Sequence, residues 1–306
     1  MNGKVFLGIL AFIFFVTLLL LYEFFPLTSN NYEMSTPQER NFNIGVYAPG
    51  NMQFYSNMRF PDRKISYKIS SFCSLSKKAE MESAFGIVEN LTVLSFYPGG
   101  SDAEIFVSCQ ERDNIDSSGL FIAGEGGPTK IIQTDNFNII QGGEILLVRT
   151  SECQTPNIPI HELFHVLGFV HSINEGNIMY NVSRCNQVIG EDIPRRINEL
   201  YSVDSLPDLS FENATAFVHN RYVDINMSIR NNGLKDSEQA KIKIYTDDVL
   251  LKEIELNPLK VGYGRTISLG NIYSQERTID VLKIVIESSF EEIDKKNNEV
   301  ILEMKK

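Results

Sequence analysis

The eleven residues 161–171, HELFHVLGFVH, constrain this chain more than any other stretch. The sequence holds four histidines, and His161, His165 and His171 all fall inside this window. On a helix, positions i and i+4 share a face, so His161 and His165 reach one point in space. Glu162 lies about 100° round the helix from His161, where it approaches that point without being a ligand. A continuous helix would carry His171 roughly 15 Å beyond His161 along the axis. The chain must therefore turn back. Gly168 stands where the turn is needed, because glycine accepts the left-handed conformation that ends a helix. Three neutral imidazoles leave a zinc ion its full charge and an open fourth position. Such an ion lowers the pKa of water toward about 7 and stabilises an oxyanion. Glu162 is placed to take the proton. The expectation is one catalytic Zn2+ on His161, His165 and His171, with Glu162 as general base. No serine or cysteine motif competes for the role of nucleophile.

The spacing His-Glu-x-x-His-x-x-Gly-x-x-His resembles the signature of the metzincin zinc endopeptidases. Ser172, after the third histidine, and Ile178-Met179-Tyr180 downstream are similar to the matrixin form of that family and of its methionine turn. Shorter likenesses extend the resemblance over roughly residues 60–203. Residues 64–67 look like the first strand, Ala84-Phe85 like the first long helix, 102–105 like the third strand, and 192–201 like the final helix. The resemblance implies an α+β zinc-protease domain of mixed sheet and helices. It implies Gly168 and Met179 as structural support, Met179 forming a hydrophobic floor under the ligands. The implied substrate is an extended polypeptide laid against an edge strand, for which 119–123 is the candidate. Tyr180 stands one position too early for a zinc-reaching tyrosine and is expected to line the specificity pocket. No cysteine precedes Cys73, so the propeptide cysteine that holds matrixins latent has no counterpart.

The four cysteines, Cys73, Cys109, Cys153 and Cys185, lie within one region and none forms a Cys-x-x-Cys pair. An even number in an exported chain implies two disulfides, with three possible connectivities. The fold implied by the resemblance makes the strands ending at Cys73 and Cys109 neighbours. Cys153 and Cys185 flank the zinc loop. The expected pairs are therefore Cys73–Cys109 and Cys153–Cys185.

Residues 5–22, VFLGILAFIFFVTLLLLY, carry no charge. As a helix they span roughly 27 Å, close to the hydrocarbon thickness of a bilayer. Lys4 precedes the run, and no Lys or Arg follows until Arg40. This bias puts the following domains outside the cell. The segment is expected to be a signal anchor, giving a single-pass membrane protein; a cleaved signal peptide and secretion is the alternative. The net charge of −11 argues against a phosphate-backbone binder, so no nucleic-acid partner is expected.

Residues 26–60 lack periodicity and contain Pro26, Pro37 and Pro49 among many Asn and Ser, which predicts a stem. Strands are predicted at 64–72, 103–109, 119–123, 129–134 and 144–150. Helices are predicted at 77–90 with Ser76 as N-cap, at 159–168 and at 189–201. After residue 201 the texture changes. Seven short alternating segments, 209–218, 221–230, 240–246, 249–256, 263–269, 278–287 and 298–304, are separated by turn signals such as Asp247-Asp248 and Asn257-Pro258. That pattern predicts an immunoglobulin-like β-sandwich. Pro207-Asp208-Leu209, Ile229-Arg230-Asn231-Asn232-Gly233 and the run 293–300 resemble the CARDB family, an adhesion-related immunoglobulin-like module that implies a cell-surface partner. His219 there is an ordinary surface histidine. The expected division is an anchor at 1–25, a stem at 26–60, a catalytic domain at 61–204 and a sandwich at 205–306. Two other functions stay open: an adhesion protein with an inactive zinc domain, and a metal hydrolase acting on a non-peptide substrate.

Overall fold

The computed structural model describes residues 31–34, 52–110, 114–115, 121–150, 153–276 and 278–303. The membrane helix expected over 5–22 lies outside these residues. Among the described residues no helix is long and apolar enough to cross a membrane.

A short strand, β1 (Asn31–Met34), comes first. The first layered unit then follows as β2 (Met58–Arg59), β3 (Lys64–Ile69), α1 (Leu75–Leu91), β4 (Ser95–Pro98) and β5 (Ile105–Cys109). It continues with β6 (Asn114–Ile115), β7 (Phe121–Ile122), β8 (Gly124–Gln133), β9 (Asn138–Leu147), α2 (Asn157–Val166) and α3 (Asp192–Leu200). The six-stranded sheet runs β4-β3-β5-β9-β8, with β2 also pairing parallel to the start of β9. Its first three pairings are parallel, and only β8 is antiparallel to its neighbour. Parallel strands β3 and β4 need a crossover, and α1 supplies it. Met81, Ala84, Phe85 and Val88 of α1 pack with Ile65, Ile105 and Val107 of the sheet and with Leu163 and Val166 of α2 in one core.

Two boundaries differ from the sequence expectation for identifiable reasons. The N-cap of α1 is Ser74, whose Oγ accepts from the Lys77 amide at 3.4 Å, rather than Ser76. Two serines two residues apart both satisfy the capping preference. More consequentially, residues 52–60 are not stem. Phe54, Met58 and Phe60 are buried in the core although the segment is irregular and shows no period. Arg59 is buried beside them. Its guanidinium donates to the carbonyls of Phe60, Pro61, Leu200 and Val203 at 2.6–3.0 Å, and it stacks 4.1 Å over the Tyr201 ring. Burial lowers its pKa from the usual guanidinium value.

The C-terminal unit contains β10 (Leu209–His219), β11 (Tyr222–Asn231), β12 (Ala240–Thr246), β13 (Val249–Leu256), β14 (Gly264–Tyr273), β15 (Val281–Glu287) and β16 (Glu299–Glu303). All seven expected strands are present. They form two four-stranded sheets, β1-β14-β11-β10 and β13-β12-β15-β16. Strict alternation along β11 puts Val223, Ile225, Met227 and Ile229 inside, against Ile242, Ile244, Leu282, Ile284 and Ile286 of the facing sheet. Asp247 and Asp248 adopt φ of 44° and 69° at the β12–β13 turn, the conformation that a two-residue hairpin of the mirror-image type requires.

The two units share a small third core: Ile132, Phe137 and Ile139 from one side, Leu234 and Val261 from the other. Asn232 Nδ2 donates to Asp135 Oδ2 at 3.1 Å beside it. Gly262, at φ +74°, lets the sandwich close on Ile132, whose Cγ2 would lie 2.5 Å from an added Cβ.

Candidate metal centre

Helix α2 is buried along its whole length, so it is apolar on most faces and cannot be displaced without opening the core. Pro159 sits in its first turn, where amides have no intrahelical acceptor and a missing N–H costs nothing. The helix ends in a Schellman arrangement: the Gly168 amide donates to the His165 carbonyl at 2.9 Å, and the Phe169 amide to the Phe164 carbonyl at 3.0 Å. Gly168 has φ +95°, and a Cβ there would lie 2.8 Å from Met58 Sδ. Only glycine satisfies both conditions. The chain then reverses, and His171 is brought back to the helix.

The outcome is a tight triangle. His165 Nε2 lies 3.0 Å from both His161 Nε2 and His171 Nε2, and the third side is 3.2 Å. Four ligands about 2.0–2.1 Å from zinc in a tetrahedron stand roughly 3.3 Å apart, so the triangle has the size that a metal ion demands. The tautomers agree. His161 Nδ1–H donates to the Ile178 carbonyl at 2.7 Å and His165 Nδ1–H to the Phe169 carbonyl at 2.8 Å. Their Nε2 lone pairs are thereby turned on one another. Acceptors crowded without a proton between them are satisfied by a shared cation. Burial keeps them neutral: it pulls His161 down to about 4 and His165 to about 3, and lowers His171. Among the described residues this is the one cluster of three or more His, Cys, Asp or Glu side chains able to hold a metal ion.

The turn at 177–180 fixes two corners of the triangle. Its Ile178 carbonyl orients His161, and its Met179 carbonyl accepts from the Ser172 amide at 2.7 Å, next to His171. Met179 itself is buried in the core. The Tyr180 hydroxyl donates to Glu175 Oε1 at 3.5 Å. The disulfides are Cys73–Cys109 and Cys153–Cys185, the expected pairs. The second ties the lead-in to α2 to the segment after the turn.

Glu162 is buried, and burial pushes its carboxyl up to about 8, with nearby Glu125 a second cause. A divalent cation alongside reverses that preference and favours the carboxylate. The group lies under β8: a Cβ at Gly124 would stand 2.9 Å from Glu162 Oε1, and one at Gly126 only 2.4 Å from the Glu162 carbonyl oxygen. The sequence expectation of an edge at 119–123 needs correcting here. Phe121–Ile122 forms a two-residue ribbon with Asn114–Ile115, and the strand over the helix is β8. Its run Gly124-Glu125-Gly126-Gly127 has no strand-forming side chains, yet that bareness is what permits the approach. Phe54 stacks on His165 with centroids 5.9 Å apart and belongs to the aperiodic segment 52–60, which carries no sequence signal for the site.

The CARDB family model matches residues 206–301. A search of curated proteins gives no match. Among solved structures, the CARDB domain of PF1109 from Pyrococcus furiosus, in complex with di-metal ions, is 16% identical over 31% of this chain and 84% of its own, with a TM-score of 0.27. A domain of a putative cell surface protein from Methanosarcina acetivorans is 19% identical over 31% of this chain and 88% of its own, TM-score 0.27. High choriolytic enzyme 1, a hatching-enzyme zinc protease of the medaka Oryzias latipes, is 24% identical over 35% of this chain, with a TM-score of 0.24; the match spans 44% of that enzyme. At such identities and scores none of these assigns an activity.

Proposed function

We propose that this chain is a zinc-dependent endopeptidase of metzincin, matrixin-like type, carried outside the cell with a CARDB domain behind it. The observation that carries the proposal is the triangle of Nε2 atoms at 3.0–3.2 Å, two of them oriented by backbone carbonyls. Zinc held by His161, His165 and His171 would supply Lewis acidity toward water and a substrate carbonyl. Glu162 accepts the proton of the attacking water and returns it to the leaving amine. Its burial against β8 keeps bulk water from competing for that proton. Met179 and Gly168 act through packing, holding the turn and the helix end that set the ligand positions. The substrate is an extended polypeptide beside β8.

Two disulfides belong to an oxidising compartment, which agrees with a CARDB module and with residues 5–22 acting as a membrane anchor. The CARDB match also favours a second reading, a surface binding protein whose zinc domain does not turn over. One experiment separates the two. The zinc-loaded chain is incubated with an unfolded protein mixture, beside Glu162→Ala, with and without a chelator. Cleavage by the parent alone, abolished by chelation, supports the protease. A folded, zinc-loaded parent that cuts nothing supports the binding protein.

A further inference from the structure

The end of the sandwich opposite the one that packs on the first unit carries an exposed aromatic row. Phe217 and Tyr273 are 67% and 51% exposed. Phe217 stacks on His219 at 6.1 Å, His219 on Tyr222 at 6.0 Å, and Tyr222 meets Tyr273 edge-on at 5.8 Å. Arg221 Nη1 donates to the Tyr273 hydroxyl at 3.0 Å. The register His219↔Tyr222↔Tyr273 lays these side chains across β10, β11 and β14 on the outer face of one sheet. The inner positions there are Val218 and Val223. Asp224, opposite Phe217 and 3.7 Å from His219 Nδ1, marks the side of the row nearer the base; rings with phenol hydroxyls and charged groups at their rim match the boundary between lipid headgroups and acyl chains.

The path of the chain says what covers it. β1 pairs antiparallel with β14, Met34 opposite Gly264 and Asn31 opposite Ile267. Going backward along the sequence, the strand therefore points from the base of the sandwich toward Tyr273. From Ile267 to Tyr273 is about 20 Å at roughly 3.3 Å per residue. Eight residues separate the uncharged run 5–22 from Asn31, and the nine steps from Tyr22 to Asn31 reach at most about 32 Å. A bilayer entered at Tyr22 is thus within reach of the aromatic end. The base of the sandwich, at Asn232 and Val261, is the end that packs on the first unit.

We propose that the aromatic end formed by Phe217, His219, Tyr222 and Tyr273 rests in the membrane interface, so that the sandwich stands the metal centre off the bilayer by about the length of one ten-residue strand, ~33 Å. This rests on residues 5–22 being a retained anchor. Contact is end-on, through the rings at the far ends of β10, β11 and β14 in the β1-bearing sheet. Asp247 and Asp248 cap the other sheet and stay in water. The chain contains no tryptophan, so one introduced indole reports its own surroundings. The full chain, carrying F217W or, as a control in the first unit, Y97W (Tyr97 is 49% exposed), is reconstituted into phosphatidylcholine vesicles with and without brominated acyl chains. The chain is expected to float with the vesicles. The indole of F217W should shift to the blue and lose most of its emission to brominated lipid, while that of Y97W keeps its own. A floating chain whose F217W is no more quenched than Y97W overturns the contact and leaves the anchor standing. A chain that does not float overturns both.

Discussion

Replacing Gly126 by alanine tests the central packing of the site. The new Cβ would stand 2.4 Å from the Glu162 carbonyl oxygen and 2.9 Å from its Cα. Ordinary contacts lie near 3.5 Å, so β8 must retreat from α2 by about 1 Å. The obstructing atoms are backbone and cannot rotate aside. Overpacking of this kind costs about 1–3 kcal/mol, and a backbone-on-backbone clash belongs at the upper end. For a chain of this size about 3 kcal/mol lowers Tm by roughly 6–12 °C. The same movement displaces Glu162, and a misplacement near 1 Å costs on the order of 10²-fold in rate. The assays are calorimetric unfolding of the zinc-loaded chain, zinc content, and kcat/KM on a reporter peptide. Zinc content should hold, because the three atoms nearest a new Cβ at Gly126 all belong to Glu162 and none to a histidine. Gly86→Ala is the control. It sits inside α1 with nothing within 4 Å of a new Cβ, and it should gain about 0.5–1 kcal/mol. A Gly126→Ala protein as stable and as active as the parent would refute the account of β8.

Removing the metal should lower Tm. Zinc at a hundred times its Kd contributes about 2.7 kcal/mol, so a chelator should cost roughly 5–11 °C by calorimetry. His161→Ala should lose stoichiometric zinc, read by elemental analysis of the dialysed protein, whereas Glu162→Ala should retain it. The disulfides close separations of 36 and 32 residues, and removing either should cost roughly 3–4 kcal/mol by the loop-entropy relation. Only the Cys153→Ser, Cys185→Ser pair should also weaken zinc binding in a competition titration, since only that bridge borders the metal loop. Arg59→Met should cost at least about 3 kcal/mol in denaturant unfolding, because it leaves four carbonyls without their charged donor, and Arg59→Lys should recover little of it.

The site was legible because its demands are local. Two ligands one helical turn apart, a glycine at the reversal and a third ligand after it all lie within eleven residues. The sandwich was legible because β11 buries every second side chain, so its period survives in the sequence. What escaped depends on contacts distant in sequence. Met58 and Phe60 are core residues in an aperiodic segment, and only their meeting with Gly168 and Tyr201 explains them. The first half of β8 escaped for the opposite reason: a strand is expected only at 129–134, because the glycines at 124, 126 and 127 that let it approach Glu162 are poor strand formers, so the close approach removed the local signal. The packing of the two units escaped as well. Asn232 and Asp135 lie 97 residues apart, and each reads alone as a turn residue.

The Arg59 clamp has a mechanical consequence. A chain held at its N-terminal side and pulled through its C-terminal domain transmits tension along the shortest bonded route. Arg59 joins the segment at 59–61 to the carbonyls at 200 and 203, short-circuiting the roughly 140 residues between them. Tension thus crosses from 59–63 to 200–203 through Arg59, Arg63 and the Tyr201 hydroxyl, while two backbone bonds, Phe54 to Gly168 and Val170 to Met52, tie the incoming segment to the reversal before His171. A pull from the N-terminal side therefore meets the 52–54 ladder first and the clamp second, so the reversal that carries His171 shares the load with Arg59.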